Sequence, residues 1–204
     1  GITAEVVSLE RSEVFREAYM AVVPAFVKDA GDHVTAPRPI AADITETMPE
    51  GEFDLIVCSN MINELAVYGG EKTDLMMQLS THLVADGNLI LLEPADLANA
   101  TMLRDLSRDL KRRGLTLYAP CNDIRGVHCS VSPCWTFATY ADIRSTKLMF
   151  ALGGDKEKFR FGNPDVKFSY DILRKDGPRR CGYRVPDAAT RATTAQLNNP
   201  VGKP

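Results

Sequence analysis

Short apolar runs and longer segments of helical periodicity alternate along the chain. The runs Ile2–Leu9, Phe53–Cys58 and Asn88–Glu93 are almost continuously apolar, which is typical of strands buried on both faces of a parallel sheet. Between them, apolar residues recur at helical spacing over roughly 13–29 and 72–83, and Ser12 is suited to cap the first of these helices. The pattern therefore predicts strands separated by amphipathic helices.

The remaining periodic segments complete an alternating order of elements. Asp165–Lys175 alternates apolar and polar residues and predicts a late strand. The other predicted elements are a short strand at Pro39–Asp43, the start of a helix at Asn60–Val67, a tight turn at Asp86-Gly87, a helix at Asn99–Arg113 and a strand at Leu115–Tyr118. The order β-α-β-β-α-β-α-β predicts a doubly wound α/β domain with a mostly parallel sheet.

Composition narrows the class of protein without changing this fold. With 45% hydrophobic and 25% charged residues, the chain is neither disordered as a whole nor collagen-like nor a coiled coil. Its apolar runs are too short to span a bilayer, so we expect no membrane partner. We expect four regions, namely an α/β core at 1–118, a cysteine-rich insertion at 119–140, the rest of the core at 141–185 and an extended polar tail at 186–204.

Charge is distributed unevenly between the two halves. Residues 1–100 carry 5 Lys/Arg and 17 Asp/Glu, whereas residues 101–204 carry 19 and 10, so net charges of −12 and +9 sum to −3. The basic half predicts a phosphate-binding surface, and a solvated basic face is the alternative. The candidate basic residues are Arg104, Arg108, Lys111, Arg112, Arg113, Arg174, Lys175, Arg179, Arg180 and Arg184.

Polar residues end three of the predicted strands. Glu10 and Asp43 each follow a strand, and Ser59-Asn60 follows Cys58. Ligands of open α/β sheets bind at the carboxyl ends of the strands. A carboxylate there can accept both ribose hydroxyls or an adenine amino group, which is the layout of a class I S-adenosylmethionine fold. We therefore expect Glu10 and Asp43 to line a cofactor cleft with Ser59 and Asn60, although both acids could instead cap the next helices.

Two features of a methyltransferase are missing from the sequence. No Gly-x-Gly turn is present, so we expect the first strand of the fold, with its glycine-rich loop, to lie before Gly1. The segment Ser59–Leu65 lacks both the Asn/Asp-Pro-Pro-aromatic signature of N-methylation and a Pro-Cys nucleophile. Glu64 is available as a base but is equally suited to a helix surface, and Cys58 is expected to be a small core residue.

Four of the five cysteines lie late in the chain. Three fall within fourteen residues and the fourth follows after 46 more. Four thiolates can hold a 4Fe-4S cluster or a tetrahedral zinc ion, and the absence of tight Cys-x2-4-Cys knuckles favours the cluster over zinc. Four reduced thiols are the alternative. The candidate ligands are Cys121, Cys129, Cys134 and Cys181.

Several segments together resemble one family. The chain is similar, over about residues 2–180, to the methyltransferase-like family of mitochondrial ribosomal small-subunit proteins, which has archaeal and bacterial homologues. The matching segments are Ser8-Leu9-Glu10-Arg11-Ser12, Phe53–Asn60, Asn63-Glu64-Leu65, Leu91-Leu92-Glu93-Pro94, Ala119-Pro120-Cys121 and Phe168-Ser169-Tyr170.

The resemblance implies a function. It implies a class I methyltransferase fold, S-adenosylmethionine binding, a 4Fe-4S cluster on the four late cysteines, and assembly of the small ribosomal subunit through its rRNA and proteins. The alternatives are an active methyltransferase acting on RNA or protein, and an iron–sulfur redox or sensing protein on a vestigial fold. The acidic first half favours a prokaryotic, cytoplasmic homologue, whereas a eukaryotic one would be in the mitochondrial matrix. The implied cofactor residues are Glu10, Arg11, Asp43, Ser59 and Asn60.

Overall fold

The chain divides into two compact units, Gly1–Glu52 and Phe53–Pro204, and each is described by itself. Among the described residues, no helix combines the length and the apolar character needed to cross a membrane. The computed structural model describes residues 3–35, 38–65, 69–120, 137–140 and 166–176.

The first unit contains a helix between two short parallel strands. Strand β1 (Ala4–Glu5) pairs with β2 (Val34–Thr35), and helix α1 (Glu13–Ala30) connects them. Ser12 caps α1 as predicted, because its hydroxyl accepts the Phe15 N–H at 3.4 Å. The helix ends at Gly31, whose φ of 78° lies in the left-handed region that glycine tolerates.

The predicted strand Ile2–Leu9 is only partly formed. Beyond β1, its remaining pairing in the described part of the segment is an isolated parallel bridge between Leu9 and Ile40, so the predicted strand Pro39–Asp43 is reduced to that bridge. Pro39 has no N–H to give to a ladder, which limits pairing on this side. The pairing with β2 was not predicted from the sequence.

In its described residues, the second unit contains a five-stranded sheet and two helices. Its strand order is β3-β4-β7-β5, and β6 also pairs with β7. The elements are β3 (Phe53–Ser59), α2 (Gly69–Thr81), β4 (Leu83–Pro94), α3 (Leu97–Arg112), β5 (Thr116–Ala119), β6 (Ala138–Tyr140) and β7 (Val166–Arg174). The α/β class predicted for a class I S-adenosylmethionine-dependent methyltransferase is confirmed.

The prediction of a mostly parallel sheet is wrong for this unit. β3 and β4 are parallel, but β7 runs antiparallel to β4, β5 and β6. The residue pattern did not indicate this direction. The buried residues of β7 are Ser169, Asp171 and Leu173, so most of its alternating apolar residues lie on the less buried face. β3 is apolar but not buried on both faces as predicted, since Leu55 and Val57 are each 51% exposed.

The predicted turn at Asp86-Gly87 lies inside β4. Pairing passes from Phe53–Leu83 directly to Leu55–Asn88, so residues 84–87 form an irregularity in the ladder. A Cβ on Gly87 would lie 3.1 Å from the carbonyl oxygen of Phe53 and 3.2 Å from that of Asp54. The close approach of the backbone therefore leaves little room for a side chain here.

The core of the second unit lies between its helices and the sheet. Asp96 caps α3, because its carboxylate accepts the Asn99 N–H at 3.0 Å, and the helix starts at Leu97, two residues earlier than predicted. Residues 62–64 form a turn, and the next helix begins at Gly69. The fully buried apolar side chains include Ile62, Met76, Leu89, Leu91, Leu103, Leu110 and Leu173.

Most of the predicted insertion and all of the predicted tail lie outside the described residues. Of residues 119–140, the structure describes 119–120 and 137–140. The tail at 186–204 lies outside the described residues.

Candidate functional site

The chain leaves β3 through a sharply turned loop. Ser59 and Asn60 are exposed at the carboxyl end of the strand, and Asn60 has a φ of 50°. Asparagine is among the few residues other than glycine that tolerate this left-handed conformation. The Asn60 N–H donates to the Leu92 carbonyl at 2.8 Å, so the loop begins from a fixed point on β4.

A buried carboxylate holds the next residues of this loop. Glu93, only 1% exposed at the end of β4, accepts the Ile62 N–H at 2.8 Å and the Asn63 N–H at 3.3 Å, one with each oxygen. Burial raises the pKa of Glu93, while these backbone hydrogen bonds and the charge of Lys72 act against that rise. Glu93 was not predicted as a site residue, although an acid that ends an apolar run is a signal visible in the sequence.

The same loop is held from its other side by a lysine. The Lys72 Nζ donates to the Ile62 carbonyl at 2.7 Å, so both polar groups of Ile62 are bound by side chains. The Asn63 Oδ1 is buried and, among the described residues, has no hydrogen-bond partner. We refer to Asn60–Glu64 as the β3 loop.

Cys58, beneath the β3 loop, is a core residue as predicted. It is 5% exposed, and burial, with a smaller contribution from Glu93, raises the pKa of its thiol to about 12. A thiol of this kind stays protonated at neutral pH. Because the thiolate is the form that attacks substrates and binds metals, Cys58 is suited to neither role.

The predicted cofactor residues of the first unit are held by local contacts. Arg11 and Asp43 are brought together, with 3.1 Å between the Arg11 guanidinium and the Asp43 carboxylate. Asp43 also accepts the Thr45 N–H at 2.9 Å and the Thr45 hydroxyl at 2.7 Å. The hydrogen bonds from Thr45, followed by that from Arg11, lower the pKa of Asp43. Asp43 therefore caps the turn that follows it.

Glu10 has a similar capping contact. Its Oε1 accepts the Ser12 N–H at 2.7 Å, and its carbonyl accepts from Arg16 at 2.8 Å. Among the described residues, Oε2 of Glu10 has no hydrogen-bond partner, so this oxygen is available for a ligand. Glu10, Arg11 and Asp43 belong to the first unit, and Ser59 and Asn60 to the second.

One of the predicted basic surface residues is buried in the structure, and several others are paired with acidic side chains. Arg104 is 4% exposed and its guanidinium is paired with Asp171, so its assignment to an RNA-binding surface is wrong. Helical spacing placed it with the other arginines, but the same spacing turns it towards β7. The more exposed residues also have acidic partners: Arg108 pairs with Asp105, Arg112 with Asp109, Arg113 with Asp74 and Arg174 with Asp176.

The predicted metal ligands lie outside the described residues. These ligands are Cys121, Cys129, Cys134 and Cys181. Three of the predicted basic residues also lie outside the described residues, namely Arg179, Arg180 and Arg184. Within the described ranges, no group of three or more histidine, cysteine or acidic side chains is arranged to hold a metal ion.

Comparison with known proteins identifies structural relatives of low identity. No family model and no curated protein matches the chain. It is similar to the N-methyltransferase NodS from Bradyrhizobium japonicum WM9 in complex with S-adenosyl-L-homocysteine (TM-score 0.42, 13% identity), over 83% of this chain and 66% of NodS. It is also similar to a protein of Bacillus halodurans C-125 assigned as a methyltransferase (TM-score 0.43, 15% identity), over 85% and 84% of the two chains. Both TM-scores are below 0.5, so the fold class rests on the helices and strand order of this chain itself.

Proposed function

We propose that this protein binds S-adenosylmethionine on a class I methyltransferase fold and acts in assembly of the small ribosomal subunit. The observation that carries the cofactor part is the β3 loop, where Ser59 and Asn60 are exposed at a carboxyl strand end and Asn60 is held at a φ of 50°. Ligands of open α/β sheets bind at such ends, and left-handed non-glycine residues cluster at ligand sites. A serine hydroxyl and an asparagine amide supply both donors and acceptors for a nucleoside ligand.

Calorimetric titration with S-adenosylhomocysteine tests the cofactor part. We expect Asn60→Gly to bind about 2- to 13-fold more weakly than the wild type, because it loses one neutral hydrogen bond of about 0.5–1.5 kcal/mol while glycine keeps the positive φ. Gln78→Ala, on the exposed side of α2, is the matched control and should bind normally. No binding by the wild type would reject the cofactor, and normal binding by Asn60→Gly would exclude Asn60 from the site.

A substitution of Glu10 can separate its proposed role in ligand binding from its capping contact with Ser12. Glu10→Gln keeps an amide oxygen for the Ser12 N–H but loses the carboxylate that would accept the ribose hydroxyls. We expect weaker binding of S-adenosylhomocysteine with the melting temperature retained. Equal affinity of Glu10→Gln and the wild type would show that Glu10 only accepts the Ser12 N–H and does not bind the ligand.

The ribosomal part is supported by the family resemblance and by the basic end of α3. The side chains of Arg112 and Arg113 are 76% and 45% exposed. Their ion pairs are surface pairs worth about 0–1 kcal/mol, so phosphates can replace the carboxylates. We expect binding of small-subunit rRNA to weaken with salt. Arg112→Gln with Arg113→Gln should reduce the slope of log K against log[salt] by about 1.4–1.8, whereas Lys28→Gln on α1 should leave it unchanged. An unchanged slope in the double variant would exclude this surface.

The donor set of the four late cysteines fits a 4Fe-4S cluster, with zinc as the second choice. Cys121, Cys129, Cys134 and Cys181 would hold it. When bound, the cluster would supply four metal–thiolate bonds that tie Cys181 to the segment around Cys121, and a redox centre.

Methyl transfer by this chain to RNA or protein is the alternative activity, and a redox or sensing role is the second. Transfer of a labelled methyl group from S-adenosylmethionine to small-subunit rRNA or ribosomal protein would favour the first alternative. A reversible redox response of the purified protein without RNA binding would favour the second.

A further inference from the structure

The β3 loop is fixed by one carboxylate in an unusual way. Glu93 approaches it from β4 and binds the N–H groups of two successive residues, Ile62 and Asn63. Lys72 binds the carbonyl of Ile62 from α2. Two elements of the second unit, β4 and α2, therefore fix the conformation of a single loop at the carboxyl edge of the sheet.

The carboxylate at this position carries an electrostatic cost. Glu93 is 1% exposed, and burial raises its pKa, which means that the folded protein is penalised for the ionised form. A glutamine of the same size would avoid this penalty, but its amide NH2 could not accept the second N–H, so only a carboxylate binds both residues of the loop. Ionisable groups kept in an unfavourable environment are concentrated at functional sites.

Two further observations place function at the loop itself. Asn60, two residues before Ile62 in the same loop, has a left-handed backbone conformation. The buried Oδ1 of Asn63 has no hydrogen-bond partner among the residues that the structure describes. Strained backbone and an unsatisfied buried acceptor both persist where the surroundings hold a loop ready for a ligand.

We propose that Glu93 is a positioning residue of the ligand site: its carboxylate fixes the β3 loop in the conformation that receives the ligand, and neutralising it weakens binding. The proposal rests on the proposed cofactor function, with S-adenosylhomocysteine as the probe. Both oxygens of Glu93 are occupied by backbone N–H groups, so it acts through the loop and does not touch the ligand.

Titration of Glu93 should then be visible in ligand binding. Its charged and titratable neighbours among the described residues are Lys72 on α2 and Cys58 on β3, and the Cys58 thiol stays neutral below its pKa of about 12. Protonated Glu93 carries a hydrogen on one oxygen and becomes a weaker acceptor for the loop. We expect affinity of the wild type to fall as the pH is lowered through the raised pKa of Glu93.

The experiment compares the wild type with Glu93→Gln in two measurements. In titration with S-adenosylhomocysteine, we expect the variant to bind about 10-fold more weakly at neutral pH and to show no pH dependence of affinity from this group. In amide hydrogen exchange, we expect protection to be lost at Ile62 and Asn63 and kept along β3 and β4. Gln78→Ala is the control for both.

The two measurements separate the proposal from the function on which it rests. Normal affinity and an unchanged pH profile in Glu93→Gln, with a wild type that binds, would overturn the positioning role and leave cofactor binding intact. Unchanged protection at Ile62 and Asn63 would overturn it whatever the ligand result. A wild type that does not bind would reject the proposed cofactor and, with it, the ligand-positioning role, while lost protection would still identify Glu93 as the group that orders the loop.

Discussion

Arg104 on α3 is paired with Asp171 on β7, and both side chains are buried. The guanidinium also donates to the Ser169 hydroxyl at 3.1 Å and to the Tyr170 carbonyl at 3.0 Å, and the Ser107 hydroxyl donates to Asp171. Buried charges persist when they are paired and hydrogen-bonded. This network therefore sets how α3 lies against the antiparallel strand.

Removing one member of this pair should strongly destabilise the protein. We expect Asp171→Ala to lower the free energy of unfolding by about 3–5 kcal/mol, because it leaves the buried Arg104 charge without its partner. Urea unfolding measures the change. Asp109→Ala, which breaks the exposed pair with Arg112, is the matched control and should cost no more than about 1 kcal/mol. Equal losses in the two variants would contradict the role given to burial.

Gly87 should tolerate no side chain. We expect Gly87→Ala to destabilise the protein by about 1–3 kcal/mol, since its Cβ would crowd three carbonyl oxygens of the β3–β4 ladder that cannot move independently. Gly70→Ala on α2 is the control: its Cβ would have no atom within 4 Å, and alanine favours a helix by about 1 kcal/mol. Opposite shifts of the melting temperature are expected, and a stable Gly87→Ala would show that the ladder can adjust.

The fold was largely readable from the sequence because its strongest signals are local. Apolar runs predicted β3 at Phe53–Cys58 and the second half of β4 at Asn88–Glu93. Helical periodicity predicted α2 and α3, and the alternation of Asp165–Lys175 predicted β7. The sequence did not give strand direction or the pairing with Val34–Thr35. Those depend on which segments meet in space, and a two-residue strand carries no periodicity.

The candidate site was less predictable because its residues act through long-range contacts. Ser59 and Asn60 could be named from the end of an apolar run. Glu93 binds N–H groups that are 31 and 30 residues earlier in the chain, and no spacing rule connects such positions. Arg104 shows the converse, since its helical spacing matched a basic surface and its partner lies 67 residues away.

Stability should depend on pH through Glu93. Its folded pKa lies above the ordinary glutamate value of about 4.3, so its stabilising contribution is complete below that value and is lost as the pH rises through the raised pKa. We therefore expect Glu93→Gln to gain stability relative to the wild type with rising pH. Asp43 and Asp96, whose pKa values are lowered, contribute the opposite dependence at lower pH, but equally in both proteins. Parallel stability curves from chemical unfolding between pH 4 and 8 would contradict the assignment.

The metal site can be tested with a control that the chain itself provides. We expect single Ser substitutions at the four late cysteines to abolish the iron, the acid-labile sulfide and the visible absorption of anaerobically purified protein, because a cluster needs all four thiolates. Cys58→Ser should keep all three per folded molecule, since the buried thiol, with a pKa of about 12, is not a ligand. Detection of zinc without acid-labile sulfide in the wild type would show that the four thiolates bind zinc and not a 4Fe-4S cluster. Full iron in any of the four variants at Cys121, Cys129, Cys134 or Cys181 would remove that residue from the ligand set, and no metal in the wild type would leave four reduced thiols.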